Sequence, residues 1–152
     1  MKKFIYDISI PRGIFSGQVL KIKGKGNVGI NGGENGDLVI NIQVKQKKGF
    51  VRTGQDVVYY MTISFSQAVL GAVINVPTAY GTVNCEIPAG IKPGEQLCLA
   101  GKGVIDEETG EVGCQYVNIT IDIPKIEKTE DIEILLRQVQ DKLYDKPVNA
   151  NI

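Results

Sequence analysis

The chain has no histidine and no tryptophan in 152 residues. Without imidazole there are no histidine-based triads, no histidine metal ligands and no usual general base. Only three cysteines are present, Cys85, Cys98 and Cys114, spaced 13 and 16 apart. None forms a Cys-x-x-Cys pair, so a zinc site is not expected, and an odd count suits a reducing compartment. Net charge is also lacking, since 17 Lys plus Arg balance 17 Asp plus Glu, and no basic surface for nucleic acid follows from that balance. No apolar run approaches the roughly 18 residues of a membrane span. The N-terminal Met-Lys-Lys-Phe-Ile-Tyr-Asp has no long apolar stretch and is not expected to be a secretory signal.

What the chain does have is glycine, 18 residues of it, and a repeated stretch. Ile10-Pro-Arg-Gly-Ile-Phe-Ser-Gly-Gln-Val-Leu-Lys-Ile-Lys-Gly-Lys-Gly26 recurs 77 residues later as Ile87-Pro-Ala-Gly-Ile-Lys-Pro-Gly-Glu-Gln-Leu-Cys-Leu-Ala-Gly-Lys-Gly103, with nine of 17 positions identical. Two unrelated windows would share about one. The offset persists without a gap: Gly36 falls on Gly113, Asn41 on Asn118, Ile42 on Ile119. A self-match at a fixed period implies a duplicated structural unit.

In each copy Ile-Pro ends a strand, because Pro donates no ladder bond and keeps its predecessor extended. Leu20 and Ile22, or Leu97 and Leu99, alternate along the next strand; Gly-Lys-Gly breaks it. After a polar loop a further strand runs through Leu38, Ile40, Ile42 and Val44, or Val117, Ile119, Ile121 and Ile123. Phe4, Tyr6, Ile8 and Ile10 also alternate as a strand would. Copy two has a long preceding segment, Phe50 to Gly81, that copy one lacks, so the first unit is expected to be truncated and the chain a fragment. Within that segment a turn at Arg52–Asp56 precedes a strand, Val57 to Ser64, with Val58, Tyr60 and Thr62 on one face. A short helix from Gln67 to Leu70, capped by Ser66 and ended by Gly71, follows. Strands are expected at Val73–Val76, ended by Pro77, and at Thr82–Ile87. Gly24-Lys-Gly-Asn-Val-Gly29 spells a dinucleotide-type glycine pattern, but it opens into more turn residues and not into a helix, so nucleotide binding is set aside.

After Pro124 the period changes. Thr129 suits a helix N-cap, and Ile132, Leu135, Leu136, Val139 and Leu143 form one apolar stripe. Such a stripe must bury against the protein's own body or against a second subunit; the second is the functional reading. Residues 145–152 read as a disordered tail.

These motifs carry a resemblance. Ile87-Pro-Ala-Gly-Ile-Lys-Pro-Gly with Leu97-Cys-Leu-Ala-Gly-Lys-Gly103, Gly36-Asp-Leu-Val-Ile40, Phe50-Val-Arg-Thr-Gly-Gln-Asp56, and Phe65-Ser-Gln-Ala-Val-Leu-Gly71 leading to Val76-Pro-Thr resemble the C-terminal, substrate-binding part of DnaJ-type (heat shock protein 40) co-chaperones. The resemblance implies a mainly β chain with two consecutive β-sandwich-like modules, a short internal helix and a C-terminal dimerisation helix. Residues 1–48 would be the rear half of the first module, 49–126 the complete second, 127–144 the dimerisation segment and 145–152 a tail. It implies a pocket for unfolded polypeptides that uses Ile40 and Tyr6, with Ile8 and Ile42 on the same faces. Lys45 matches a position that contacts the acidic tail of a partner DnaK-type chaperone in some members. Without the pocket's upstream strands the chain is expected to hold clients poorly or not at all. With no His the His-Pro-Asp signature is impossible, so the chain should not stimulate a partner's ATPase. No catalytic residue, cofactor, metal, nucleic acid or membrane is expected, and the setting would be cytoplasmic. The rival reading is a dimerisation and spacer module that binds nothing itself.

Overall fold

Alternating apolar residues between glycine turns set the strands, and the computed structural model describes residues 3–127 and 130–144. In order these form β1 (Val19–Ile22), β2 (Leu38–Asn41), β3 (Phe50–Thr53), β4 (Asp56–Ser64), α1 (Phe65–Leu70), β5 (Ala72–Thr78), β6 (Gly81–Ile87), β7 (Gln96–Leu99), β8 (Gln115–Asp122) and α2 (Glu130–Tyr144). The chain is mainly β, with one short internal and one C-terminal helix, as expected. Residues up to Asp122 form one unit; α2 belongs to a second that starts at Ile123.

Three sheets make up the first unit. One has the order β3-β4-β8-β7, with β4 and β8 parallel; β5 and β6 form an antiparallel hairpin; β1 and β2 pair by themselves. The four-stranded sheet and the hairpin share one core, sandwich-fashion. Ile63, Val117 and Ile119 come from the sheet, and Ile74, Val76, Cys85 and Ile87 from the hairpin. Ala68 of α1 and Ile91 of the second Ile-Pro motif complete it. Val76, Val117 and Ile119 are fully buried, each stabilising by roughly 1.5–3 kcal/mol. Val58, Tyr60 and Thr62 do share a face, but Tyr60 and Thr62 lie on its outward side. There Thr62 Oγ1 meets Thr120 Oγ1 at 2.7 Å, while Tyr59, Met61 and Ile63 of β4 pack inward.

The two copies of the repeat have the same geometry. β1 pairs with β2 as Leu20↔Ile40 and Lys21↔Val39; 77 residues on, β7 pairs with β8 as Leu97↔Val117 and Cys98↔Tyr116. Gly17 N–H donates to Ile42 O and Gly94 N–H to Ile119 O; Gly26 N–H donates to Gly36 O and Gly103 N–H to Gly113 O. The closing glycines are required by close approach. A Cβ on Gly103 would meet the Gly113 and Gln55 backbones, and one on Gly26 the Asp37 and Gly36 backbones, far inside contact distance.

Upstream of the motif the copies differ. Residues 3–10 form no strand, although they alternate, because no described segment pairs with them; a lone alternating run gains no ladder bonds. Ile10 is consequently 58% exposed where Ile87 is 2%. Three smaller expectations also shift. The cap of α1 is Ser64, not Ser66: Ser64 Oγ accepts from Gln67 N–H while Gln67 Oε1 accepts from Ser64 N–H, a complete capping box. β5 continues through Pro77 to Thr78, because each strand of a two-stranded sheet has an open edge where a missing donor breaks no ladder. β2 ends at Asn41, short of Ile42 and Val44, whose N–H groups donate instead to Gln18 O and Ser16 Oγ. The expected N-cap Thr129 and the tail 145–152 lie outside the described residues.

Candidate functional site

The sequence-predicted pocket residues fall on two kinds of backbone. Ile40 lies in β2, half-buried and opposite Leu20; Ile42 follows two residues later on the same side, also half-buried. Tyr6 and Ile8 lie in the irregular segment 3–10 and are about 40% exposed. Tyr6 stacks on Phe4, with ring centroids 6.4 Å apart, and has the Lys25 ammonium over its face at 5.5 Å. Among the described residues no ladder pair, hydrogen bond or aromatic stack joins Tyr6 or Ile8 to Ile40 or Ile42.

Lys45 belongs to a feature that sequence reasoning missed. A cleft of about 640 Å³ opens between residues 15–16 and 44–47 on one side and the second repeat on the other. Phe15, Phe50, Val57 and Val104 supply apolar walls; Lys45, Lys47, Arg52 and Lys102 supply four positive charges, and among the described residues no Asp or Glu lines it. Lys47 Nζ sits 5.3 Å over the Phe50 ring. Gln115, which is buried, is also among the lining residues. The arrangement offers apolar surface and positive charge.

Arg52 holds the two sides of this cleft together. Its Nη1 donates to Ile14 O at 2.8 Å, its Nη2 to Gly13 O at 2.6 Å and its Nε to Gly54 O at 2.8 Å, while the guanidinium lies 4.0 Å over the Phe15 ring. Gly13 and Ile14 belong to the first Ile-Pro motif, and Arg52 to β3, so one side chain ties the two repeats. Burial lowers its pKa from the usual guanidinium range. The only hint in the sequence is the position of Arg52 in the Phe50–Asp56 motif, which gave it a turn and no partner.

Two of the three thiols, Cys85 and Cys98, are disfavoured as thiolates. Burial pushes the Cys85 thiol up; the Cys98 thiol is pushed up chiefly by its hydrogen bond with Cys114, then by burial and by nearby negative charge. Among the described residues no cluster of three or more His, Cys, Asp or Glu could hold a metal, and no helix is long and apolar enough to cross a membrane, which leaves β-barrels unaddressed.

In the second unit, considered by itself, the α2 stripe is intact. Ile132, Leu135, Leu136, Val139 and Leu143 are 39% to 60% exposed. Glu133 and Arg137 pair one turn apart at 2.7 Å.

Compared with known families, residues 1–124 match the one described as the DnaJ C terminal domain. The chain belongs to that family. Three curated relatives, each named Chaperone protein DnaJ, agree. The one from Clostridium novyi is 48% identical over 118 residues, 78% of this chain and 31% of the relative. That from Erysipelothrix rhusiopathiae is 45% identical over 123 residues, 81% and 33%; that from Acholeplasma laidlawii is 42% identical over 125 residues, 82% and 34%. The chain thus spans about a third of the length of the curated relatives it matches. Both copies of the Ile-Pro…Gly-Lys-Gly repeat, the Arg52 tie and the basic cleft lie inside the matched region; α2 lies beyond it.

Proposed function

We propose that this chain acts as a co-chaperone region that binds unfolded polypeptides non-covalently, self-associates through α2, and works alongside a DnaK-type chaperone in the cytoplasm. The observation that carries this reading is the family match over residues 1–124, supported by the named function of the relatives. The chemistry proposed is burial, not catalysis. An extended apolar client segment would lie along β2, with side chains against Ile40 and Ile42 and, from the preceding segment, Tyr6 and Ile8. Each large side chain buried contributes roughly 1.5–3 kcal/mol, so two or three, less the ordering cost, hold a client at about micromolar strength or weaker. Weak binding suits release to a partner, and two arms joined through the stripe Ile132, Leu135, Leu136, Val139 and Leu143 raise avidity. Lys45, with Lys47 and Lys102 in the same cleft, is the proposed contact for an acidic tail of the partner chaperone. Residues 1–48 and 49–126 are proposed as the two modules and 127–144 as the dimerisation segment.

A second reading, a spacer and dimerisation module, is favoured by one observation: Tyr6 and Ile8 lie in unpaired backbone, so the four pocket residues are not assembled on one sheet. Titrating a fluorescent unfolded polypeptide into the protein separates the two. Client binding predicts that Ile40→Ser weakens affinity by about tenfold or more; an affinity indifferent to Ile40→Ser leaves the spacer reading.

A further inference from the structure

The 77-residue offset also matches a pair of side chains. In the first repeat Lys21 of β1 and Asp37, the residue before β2, form an ion pair across the strands at 3.3 Å. One repeat on, the same two positions hold Cys98 of β7 and Cys114, the residue before β8. The registers agree. Lys21 stands opposite Val39 and Cys98 opposite Tyr116, so in each copy the second member lies two residues before that opposite residue. Such a diagonal pair shares one face of the sheet. In the second repeat that face is the outer one, since Leu97, Leu99, Val117 and Ile119 pack into the core. Cys98 is exposed, Cys114 is half-buried, and their thiols hydrogen-bond to each other. Where the first copy closes this corner with opposite charges, the second sets two thiols side by side.

We propose that Cys98 and Cys114 form a reversible disulfide by exchange with a small-molecule disulfide. One thiolate attacks the small disulfide, giving a mixed disulfide and releasing one small thiol. The other then attacks the protein sulfur of that mixed disulfide, closing the Cys98–Cys114 bond and releasing the second small thiol. The protein pair loses two electrons and two protons, and the small disulfide gains them. The backbone already holds both ends. Cys98 lies in the β7–β8 ladder, and Gly103 N–H donates to Gly113 O at 2.9 Å across the base of the loop. Cys114 N–H donates to Asp56 Oδ1 at 2.8 Å, and Cys114 O accepts from Val57 N–H at 2.9 Å. The bond would tie β7, an edge strand of the four-stranded sheet, to its neighbour. The thiol–thiol hydrogen bond, with burial and the Asp56 charge, keeps the proton on Cys98, so exchange is expected over hours and not seconds. Cys85 is left out, being 5% exposed within the core. In a reducing compartment such a bond is transient. The proposal depends on neither client binding nor self-association.

The test is incubation of the full chain with oxidised glutathione, followed by alkylation, intact mass and peptide mapping. Expected are the loss of two hydrogens, a linked pair of peptides holding Cys98 and Cys114, and full reversal by dithiothreitol. Cys85 should still alkylate once the chain is unfolded. Closing a loop of about 15 residues should raise the melting temperature by roughly 5–10 °C. Cys98→Ser and Cys114→Ser should each stop at a mixed disulfide with one glutathione. Cys98→Lys and Cys114→Asp, which copy the sister repeat, replace a serine variant that loses stability, with the same expected result. The proposal is overturned if oxidation links Cys85, joins two chains or lowers the melting temperature. It is equally overturned if Cys98 and Cys114 are still unlinked after a day with the small disulfide in excess.

Discussion

Replacing Arg52 with Met removes the side chain that ties the first repeat to the second while keeping an apolar stem against Phe15. The structure sets the size of the effect. Two of its hydrogen bonds, to Gly13 O at 2.6 Å and Ile14 O at 2.8 Å, span almost 40 positions of sequence and are partly buried; the third, to Gly54 O, is local and exposed. A hydrogen bond to a charged group contributes about 1.5–3 kcal/mol when protected. Burial of the guanidinium, which lowers its pKa, opposes part of that gain, and water can replace the local bond. The net loss in Arg52→Met is therefore about 2–4 kcal/mol, a fall in melting temperature of roughly 5–15 °C for a chain of this size. Arg52→Lys keeps a charge but cannot fork to two carbonyls, so about half the loss is expected. Amide exchange adds an internal control. Gly17 and Ile42 hold the first repeat closed, and Gly94 and Ile119 make the equivalent bonds in the second. Arg52→Met should speed exchange at Gly17 and Ile42 and leave Gly94 and Ile119 close to their original rates. A stability change under about 0.5 kcal/mol, or equal acceleration in both repeats, refutes the tie.

Two smaller perturbations follow. Ser64→Ala breaks the capping box of α1 and should cost about 1 kcal/mol in denaturant unfolding, while Ser66→Ala should stay within about 0.5 kcal/mol; the reverse order would restore Ser66 as the cap. The Gly24 N–H, then the Lys21 ammonium, hold the Asp37 carboxyl below its usual range. A carboxyl depressed on folding stabilises the protein above the unfolded-state value, and the contribution is lost as pH falls through the lower folded one. Asp37→Asn should thus flatten the acid limb of a pH–stability curve, read from urea midpoints below the ordinary carboxylate range; an unchanged limb contradicts the assignment.

Much of the fold could be read from the residues because the chain repeats itself. The 77-residue offset links β1 to β7 and β2 to the start of β8, and the ladder registers agree pair by pair. The α1 cap was also present in the sequence: Gln67 lies three residues after Ser64, the spacing a capping box needs, and not after Ser66. Alternation at Phe4–Ile10 misled because it says which face a strand would bury and nothing of whether a partner is there to pair with it. The cleft was invisible for a different reason. Phe15, Lys45, Arg52, Lys102 and Gln115 are scattered over 100 positions and meet only when the two repeats are packed.

The central claim is that this chain works as a self-associating, polypeptide-holding arm, and its most direct test is sedimentation equilibrium of the chain beside Leu136→Asp. The stripe formed by Ile132, Leu135, Leu136, Val139 and Leu143 is exposed on α2, and a carboxylate in the middle of a buried apolar seam costs more than such a seam can spare. The account predicts a dimer that Leu136→Asp converts to monomer, with the circular-dichroism signature of the β unit unchanged. A monomeric starting chain, or a dimer indifferent to Leu136→Asp, would contradict it.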